Sequence, residues 1–186
     1  MSYNIQCNIH GYEFVRYEDL TNIDSRQVLS CRNHPNVRKW MLNSSIIPEE
    51  NHMEFVKSLK NSPNKVYCAV FRKSKLIGCI YYDKINQDIY STGFFLNPSI
   101  ISSGIGLYFE YIYLHFFFKF LNAKEIYARV IPENTPVRKI HKSCGFIENL
   151  ELGKELIYYS LSKKMFETLP ININVFIRKL IENYED

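Results

Sequence analysis

No basic stripe, no Cys-x-x-Cys pair, no metal-ligand spacing of histidines, no internal repeat and no low-complexity tract occur in this sequence, and each absence removes a class of function. The formal net charge is only +4 and the Lys and Arg residues are scattered, so nothing resembles the row of cations that neutralises many phosphates of a nucleic acid. The five cysteines, Cys7, Cys31, Cys68, Cys79 and Cys144, are odd in number and unevenly spaced, which favours reduced thiols over a disulfide framework or a zinc site. Histidines 10, 34, 52, 115 and 141 show no His-Glu-x-x-His arrangement, and no metal is expected. The first ten residues lack the basic-then-apolar layout of a secretory signal. The most apolar stretch, from Gly106 to Leu121, carries Glu110, His115 and Lys119 and falls short of the roughly 20 apolar residues of a membrane span. The expectation is a cytoplasmic protein with no membrane or nucleic-acid partner.

What is present is enough apolar residue for a core: 46% of 186 residues are hydrophobic and 23% charged, the balance of one globular domain. Alternation over Tyr12–Tyr17 predicts a first strand. A helix over Ser25–Cys31, capped by Asp24 or Ser25, breaks at Asn33-His34-Pro35, because the residue before proline is pushed out of the helical region. A short helical piece at Val37–Met41 follows, then a helix that starts behind Pro48 with Glu49 and Glu50 at the positive end of its dipole. Three strands, Val66–Phe71, Leu76–Ile85 and Ile89–Leu96, are separated by Lys73-Ser74-Lys75 and Asn86-Gln87-Asp88 turns and read as an antiparallel meander. From Gly104 the pattern becomes a long helix, then a strand at Ile126–Ile131, a helix at Thr135–Ser143 and strands at Phe146–Leu150 and Glu155–Leu161. This order predicts an α+β fold, a mixed and mostly antiparallel sheet flanked by helices, with one parallel crossover. Aromatic residues surround the long helix almost completely, so it should be buried on more than one side. In the tail, Val175, Phe176, Leu180 and Ile181 suggest an amphipathic helix; the expected division is a domain over 1–162 and a helical extension of it over 163–186, with this surface a candidate homodimer interface.

The segment Asn97-Pro98-Ser99-Ile100-Ile101-Ser102-Ser103-Gly104-Ile105-Gly106-Leu107 lies between a strand and the long helix. Two glycines one residue apart at a helix start let backbone N–H groups approach a phosphate that the helix dipole favours. Alone, this is equally a plain strand-to-helix turn. One helix and one strand later comes Asn134-Thr135-Pro136-Val137-Arg138-Lys139-Ile140-His141-Lys142-Ser143-Cys144-Gly145-Phe146, an Asn-led short helix that ends in Gly-Phe.

In that order and spacing the two segments resemble motif A, (Gln/Arg)-x-x-Gly-x-(Gly/Ala), and motif B of the GNAT superfamily of acetyl-CoA-dependent N-acetyltransferases, with Ile101 at the position usually held by Gln or Arg. The N-terminal half narrows the resemblance. Arg32-Asn33-His34-Pro35, Trp40-Met41, His52 in an Ile-x-x-x-x-His-x-x-Phe frame, Leu59-Lys60-Asn61-Ser62-Pro63-Asn64 and Lys84-Ile85-Asn86 are similar to the acetyltransferases of pseudaminic acid biosynthesis. Their acceptor is a UDP-linked 4-amino-4,6-dideoxy sugar and their product decorates flagellin. The resemblance runs from about Tyr12 to Leu161.

It implies a GNAT fold and a site of three parts. Acetyl-CoA, as co-substrate, is held by Phe94, Phe95 and Leu96 on a strand edge, by Ser102, Ser103, Gly104, Ile105 and Gly106 at its pyrophosphate, and by Asn134 and Arg138. The nucleotide sugar is faced by Arg32, His52, Trp40, Asp83 and Lys84. His141 stands where the superfamily commonly has a tyrosine that protonates the departing thiolate, so the general-acid role passes to an imidazole. On residue type alone, Arg32 also reads as a surface ion-pair partner, His52 as a solvent-facing helix residue and His141 as a packing residue at a helix end, and for Trp40 a core or core-rim aromatic is the better reading. An acyl-cysteine at Cys144 is disfavoured beside Gly145-Phe146, where a small buried thiol suffices. No general base presents itself: Arg129 stands where related enzymes carry a glutamate, leaving Asp83 or an ordered water. The alternatives are an acetyltransferase of protein N-termini, such as those of ribosomal proteins, and a degenerate acyl-CoA-binding module.

Overall fold

The alternating residues at Tyr12–Arg16 form a strand, but it is the second one. β1 (Ile5–Ile9), in a stretch whose composition reads as polar, pairs antiparallel with β2 (Tyr12–Arg16) across a turn in which His10 and Gly11 take φ of 50° and 76°. The computed structural model describes residues 5–103, 105–149 and 155–168; Gly104 and the expected tail helix at Val175, Phe176, Leu180 and Ile181 lie outside the described residues. After β2 and a one-turn 3-10 segment come α1 (Asn22–Asn33), α2 (Pro35–Arg38) and α3 (Glu49–Leu59). α1 starts earlier than expected because Thr21, rather than Asp24 or Ser25, caps it by accepting from the Asp24 N–H. A hydroxyl in that position satisfies one of the four orphan donors of a helix start.

The meander follows as β3 (Lys65–Arg72), β4 (Lys75–Lys84) and β5 (Ile89–Leu96), then α4 (Ile105–His115), β6 (Glu125–Val130), α5 (Thr135–Ser143), β7 (Ile147–Asn149), β8 (Ile157–Ser162) and α6 (Lys163–Glu167). The sheet order is β1-β2-β3-β4-β5-β6-β8-β7, and β5 with β6 is its parallel pair. The crossover between those two strands is α4.

Strand periodicity divides the core. On one face Cys68, Val70, Ile80, Tyr82 and Ile126 meet Tyr108, Phe109, Ile112 and Tyr113 of α4, while on the other Ala69, Phe71, Cys79 and Phe95 meet Val28, Cys31 and Leu59 of α1 and α3. Past His115 the helix widens into a π turn over Phe116–Phe120, in which the Leu121 N–H reaches back to the Phe116 carbonyl at 2.9 Å. Three consecutive phenylalanines cannot share one side of a regular helix, whose successive side chains point about 100° apart. Here the rings divide: Phe116 stacks on Phe14 of the sheet at 4.7 Å and Phe118 on Phe166 of α6 at 4.9 Å. The helix is thus buried from two sides, as its composition implied.

Candidate active site

β5 and β6 pair only from Ile89↔Glu125 to Thr92↔Ala128. Beyond that point β5 stays on β4, with Gly78 opposite Leu96, while β6 turns away at Ile131-Pro132 toward α5. The strands therefore splay. A cavity of about 160 Å³ opens there, lined by Phe94, Phe95 and Leu96 from β5 and by Asn134, Val137 and Ile140 from the start and body of α5. At its outer end stand Ile101 and Gly106, by the first turn of α4. A Cβ on Gly106 would lie 3.0 Å from Ile140 Cδ1, so this glycine serves close helix approach as well as an open helix end. Ser102 and Ser103 end the 3-10 turn leading to α4, and the Ile105 side chain enters the core. Asn134 is buried, borders this cavity and the next, and makes no side-chain cap to its own helix.

Phe94, Asn134 and Val137 also line an adjoining recess with Tyr81, Thr92, Tyr113, Arg129 and His141, and Tyr81, Thr92 and Arg129 in turn line a third with Asp83, Ser91 and Leu42. Trp40 borders all three. Tyr81 lines the second and third of them and requires the glycine opposite it, because a Cβ on Gly93 would collide with the Tyr81 hydroxyl. Burial pushes that phenol above its ordinary pKa, and the Arg129 and Arg32 guanidiniums pull it the other way.

His141 forms the floor of the middle recess and is 3% exposed. The sequence sets it there by local chemistry. Gly145, at φ +82°, ends α5 in the left-handed region; the Phe146 N–H then bonds the His141 carbonyl at 3.0 Å and the Gly145 N–H bonds the Lys142 carbonyl at 3.2 Å. This is the double bond of a Schellman cap, which brings the residue after the glycine back against the helix. The Phe146 ring accordingly stacks on His141 at 4.4 Å. The Gly-Phe of the motif is a cap, which also explains why β7 begins one residue later than the sequence suggests. On its far side His141 Nδ1 lies 3.0 Å from Oε1 of Glu110, a residue of α4 with 0% exposure.

Four of the expected residues, Arg32, His52, Lys84 and Arg138, are not among those that line the cleft. Arg32 does not face the cleft as a free cation: its Nη2 donates to the Asn43 carbonyl, while Arg38 holds the Ser44 carbonyl and Asn33 exchanges two 2.9 Å bonds with the backbone of Ile47. His34 Nδ1 accepts from the Asn36 N–H to cap α2. Arg32 through Nη2 and Asn33 through its amide thus hold the loop after Trp40, while Arg32 Nη1 is buried with no hydrogen-bond partner among the described residues. His52 is buried at 5% exposure between α1 and α3, with Nε2 3.0 Å from the Ser25 hydroxyl and burial lowering its pKa. Lys84 lies on the face of β4 opposite Asp83, since alternate residues of a strand point to opposite faces. Arg138 turns away from the cavity, donating to the Pro132 carbonyl at 2.9 Å and lying against Tyr159 and Glu148. Sequence reasoning missed Glu110 and Tyr81. The first was visible as the one carboxylate within an otherwise apolar helix, the second only through Gly93 across the strand pair.

One consequence is testable at once. Arg32→Ala should raise KM for acetyl-CoA and for the acceptor together, by about threefold to tenfold, the worth of one lost hydrogen bond, because Trp40 walls both recesses. A rise confined to the acceptor would restore a direct contact of the guanidinium with it.

The family model for the Acetyltransferase (GNAT) domain matches residues 15–147. The acetyltransferase PseH of Campylobacter jejuni serotype O:2 is 25% identical over 154 residues, 83% of this chain and 96% of that protein. Among solved structures, Campylobacter jejuni N-acetyltransferase PseH in complex with acetyl coenzyme A superposes with TM-score 0.67 at 20% identity, covering 81% of this chain and 98% of the other. Spermidine N-acetyltransferase from Vibrio cholerae in complex with CoA and spermine superposes with TM-score 0.74 at 17% identity, covering 86% and 100%. The splayed parallel pair, the helix start that faces the cleft and the matched model agree, and the chain belongs to the GNAT acetyltransferase family.

Proposed function

We propose that this protein transfers the acetyl group of acetyl-CoA to the 4-amino group of a UDP-linked 4-amino-4,6-dideoxy sugar, the step its relatives carry out in pseudaminic acid biosynthesis. The observation that carries this reading is the row of adjoining recesses where β5 and β6 part, with the imidazole of His141 in the middle one and Asp83 and Arg129 in the third. The residues fit the co-substrate. The free edge of β5 at Phe94–Leu96 suits the amides of the pantetheine arm, the Asn134 side-chain amide makes no hydrogen bond among the described residues, and the start of α4 at Ile105-Gly106 offers backbone N–H groups and the positive end of a dipole to a pyrophosphate. A backbone cradle makes the Ile101 replacement tolerable. His141 gives a proton to the departing thiolate, and holding two substrates in one cleft supplies much of the acceleration.

On the acceptor side, Arg129 suits a phosphate oxygen, Asp83 an amine and Trp40 the face of a ring. A polyamine acceptor, as in the Vibrio cholerae enzyme, fits this recess less well, since a guanidinium there repels a polycation. An acetyl-CoA consumption assay decides between them: free thiol should appear with UDP-4-amino-sugars and stay at background with spermidine and with peptide N-termini. Turnover of either control in preference to the nucleotide sugars would overturn the substrate assignment.

A further inference from the structure

The carboxylate of Glu110 is a costly object where it sits. It lies wholly buried on an aromatic helix, its Oε1 reaches His141, and its Oε2 has no hydrogen-bond partner among the described residues. No Lys or Arg is paired with it among the described residues. Its neighbours register it instead: the Cys144 thiol and the Tyr113 phenol are pushed up first by burial and then by the Glu110 charge. A buried carboxylate with a single partner destabilises a fold unless something else requires it, and the partner is the residue that borders the cleft.

The ring of that partner has no freedom to turn. Phe146 stacks on one face at 4.4 Å with planes 29° apart, and Tyr159 meets it edge-on at 5.2 Å. With Nδ1 committed to Glu110, Nε2 is the nitrogen left for the cleft.

We propose that Glu110 is a positioning residue for the acetyl transfer, fixing His141 as the Nδ1–H tautomer so that one imidazole, through Nε2, is both the base for the acceptor amine and the acid for the leaving thiolate. This rests on the acetyl-transfer reading above. The amine nitrogen bonds the acetyl carbonyl carbon, and the C–S bond breaks with its electron pair going to sulfur. The proton lost by nitrogen passes to Nε2 and from there to sulfur, leaving the imidazole as it began. While both ring nitrogens are protonated, the buried carboxylate balances the charge. The arrangement accounts for the missing acidic base: with Arg129 in the cleft, the imidazole floor fills both roles. Carboxylate, imidazole and reacting atom in line is the general logic by which an oriented histidine moves a proton in both directions.

Ring-nitrogen NMR on the whole protein reads the tautomer without any acceptor. Neutral His141 should show a pyrrole-type Nδ1 and a pyridine-type Nε2. Glu110→Gln, an isosteric neutral change, should lower kcat for the transfer by about 10²-fold, the usual size of a proton-transfer contribution, while KM for acetyl-CoA and its effect on Tm stay within about twofold of wild type. In a His141→Asn background the same change should cost no further kcat, because the two residues act as a unit. A pyrrole-type Nε2 in the wild type, or Glu110→Gln turning over at the wild-type rate, would overturn the proposal. A protein that acetylates no amino sugar yet shows a pyridine-type Nε2 would sink the acceptor assignment and leave the role of Glu110 standing.

Discussion

Gly106→Glu is expected to fold and to melt near the wild-type temperature, yet to lose the rise in Tm that acetyl-CoA confers. The two halves of that expectation have separate causes. A glutamate in the first turn of α4 sits at the positive end of the helix dipole, worth about 0.3–1 kcal/mol to the helix itself. The new Cβ meets Ile140 Cδ1 at 3.0 Å and Leu96 Cδ1 at 3.9 Å, both ends of side chains that can give way. The fold therefore tolerates the change. The ligand does not, because the carboxylate competes for the N–H groups offered to the pyrophosphate, repels it, and fills the outer end of a cavity that Gly106 lines. At about 100 times Kd a ligand stabilises by roughly 2.7 kcal/mol, which for a chain of this size is about 5–10 °C. That shift should vanish in the glutamate variant and survive in Gly106→Ala, which adds bulk without charge. A folded Gly106→Glu protein with an undiminished shift would remove the start of α4 from the cofactor site.

The features legible in the sequence were those written in local chemistry. The meander, the crossover helix and the Asn-to-Gly-Phe helix each follow from period, turn residues and caps, and these depend on neighbours a few positions apart. β1 was missed because Ile5–Ile9 gains its place by pairing with β2, a contact that composition does not display. The same limit applies within the site. Phe94–Leu96, Asn134 and His141 lie on motifs whose form is local, and the structure brings them to one cleft. Arg32 and His52 were placed in the site by the family resemblance, while in the structure the first holds a loop and the second bonds Ser25 across two helices. Glu110 and His141 are 31 residues apart, joined only by the packing of α4 against α5. No spacing rule reaches that far, although an acidic residue inside an apolar helix was a sign that some partner awaited it.

That partnership changes how His141 should be tested. His141→Phe removes the proton donor, but it also takes away the one hydrogen-bond partner that a buried carboxylate has among the described residues. Orphaning such a group costs about 1–3 kcal/mol or more, so a fall in rate there would mix chemistry with loosened packing, and Tm should drop by several degrees, on the order of 2–4 °C per kcal/mol. His141→Asn separates the two. Its side-chain N–H occupies about the place of Nδ1–H and can still donate to Glu110, while nothing capable of carrying a proton faces the cleft. Its kcat is expected to fall about 10²-fold with Tm and acetyl-CoA affinity nearly unchanged. His141→Tyr supplies a hydroxyl toward the same recess and should recover a good part of the rate relative to His141→Phe, at the lower Tm that loss of the Glu110 contact brings. Steady-state rates at saturating acetyl-CoA, with melting curves on the same preparations, measure both quantities. If His141→Asn turns over as fast as the wild type, the imidazole moves no proton in the reaction, and its place in the cleft floor is owed to packing between Phe146 and Glu110 alone.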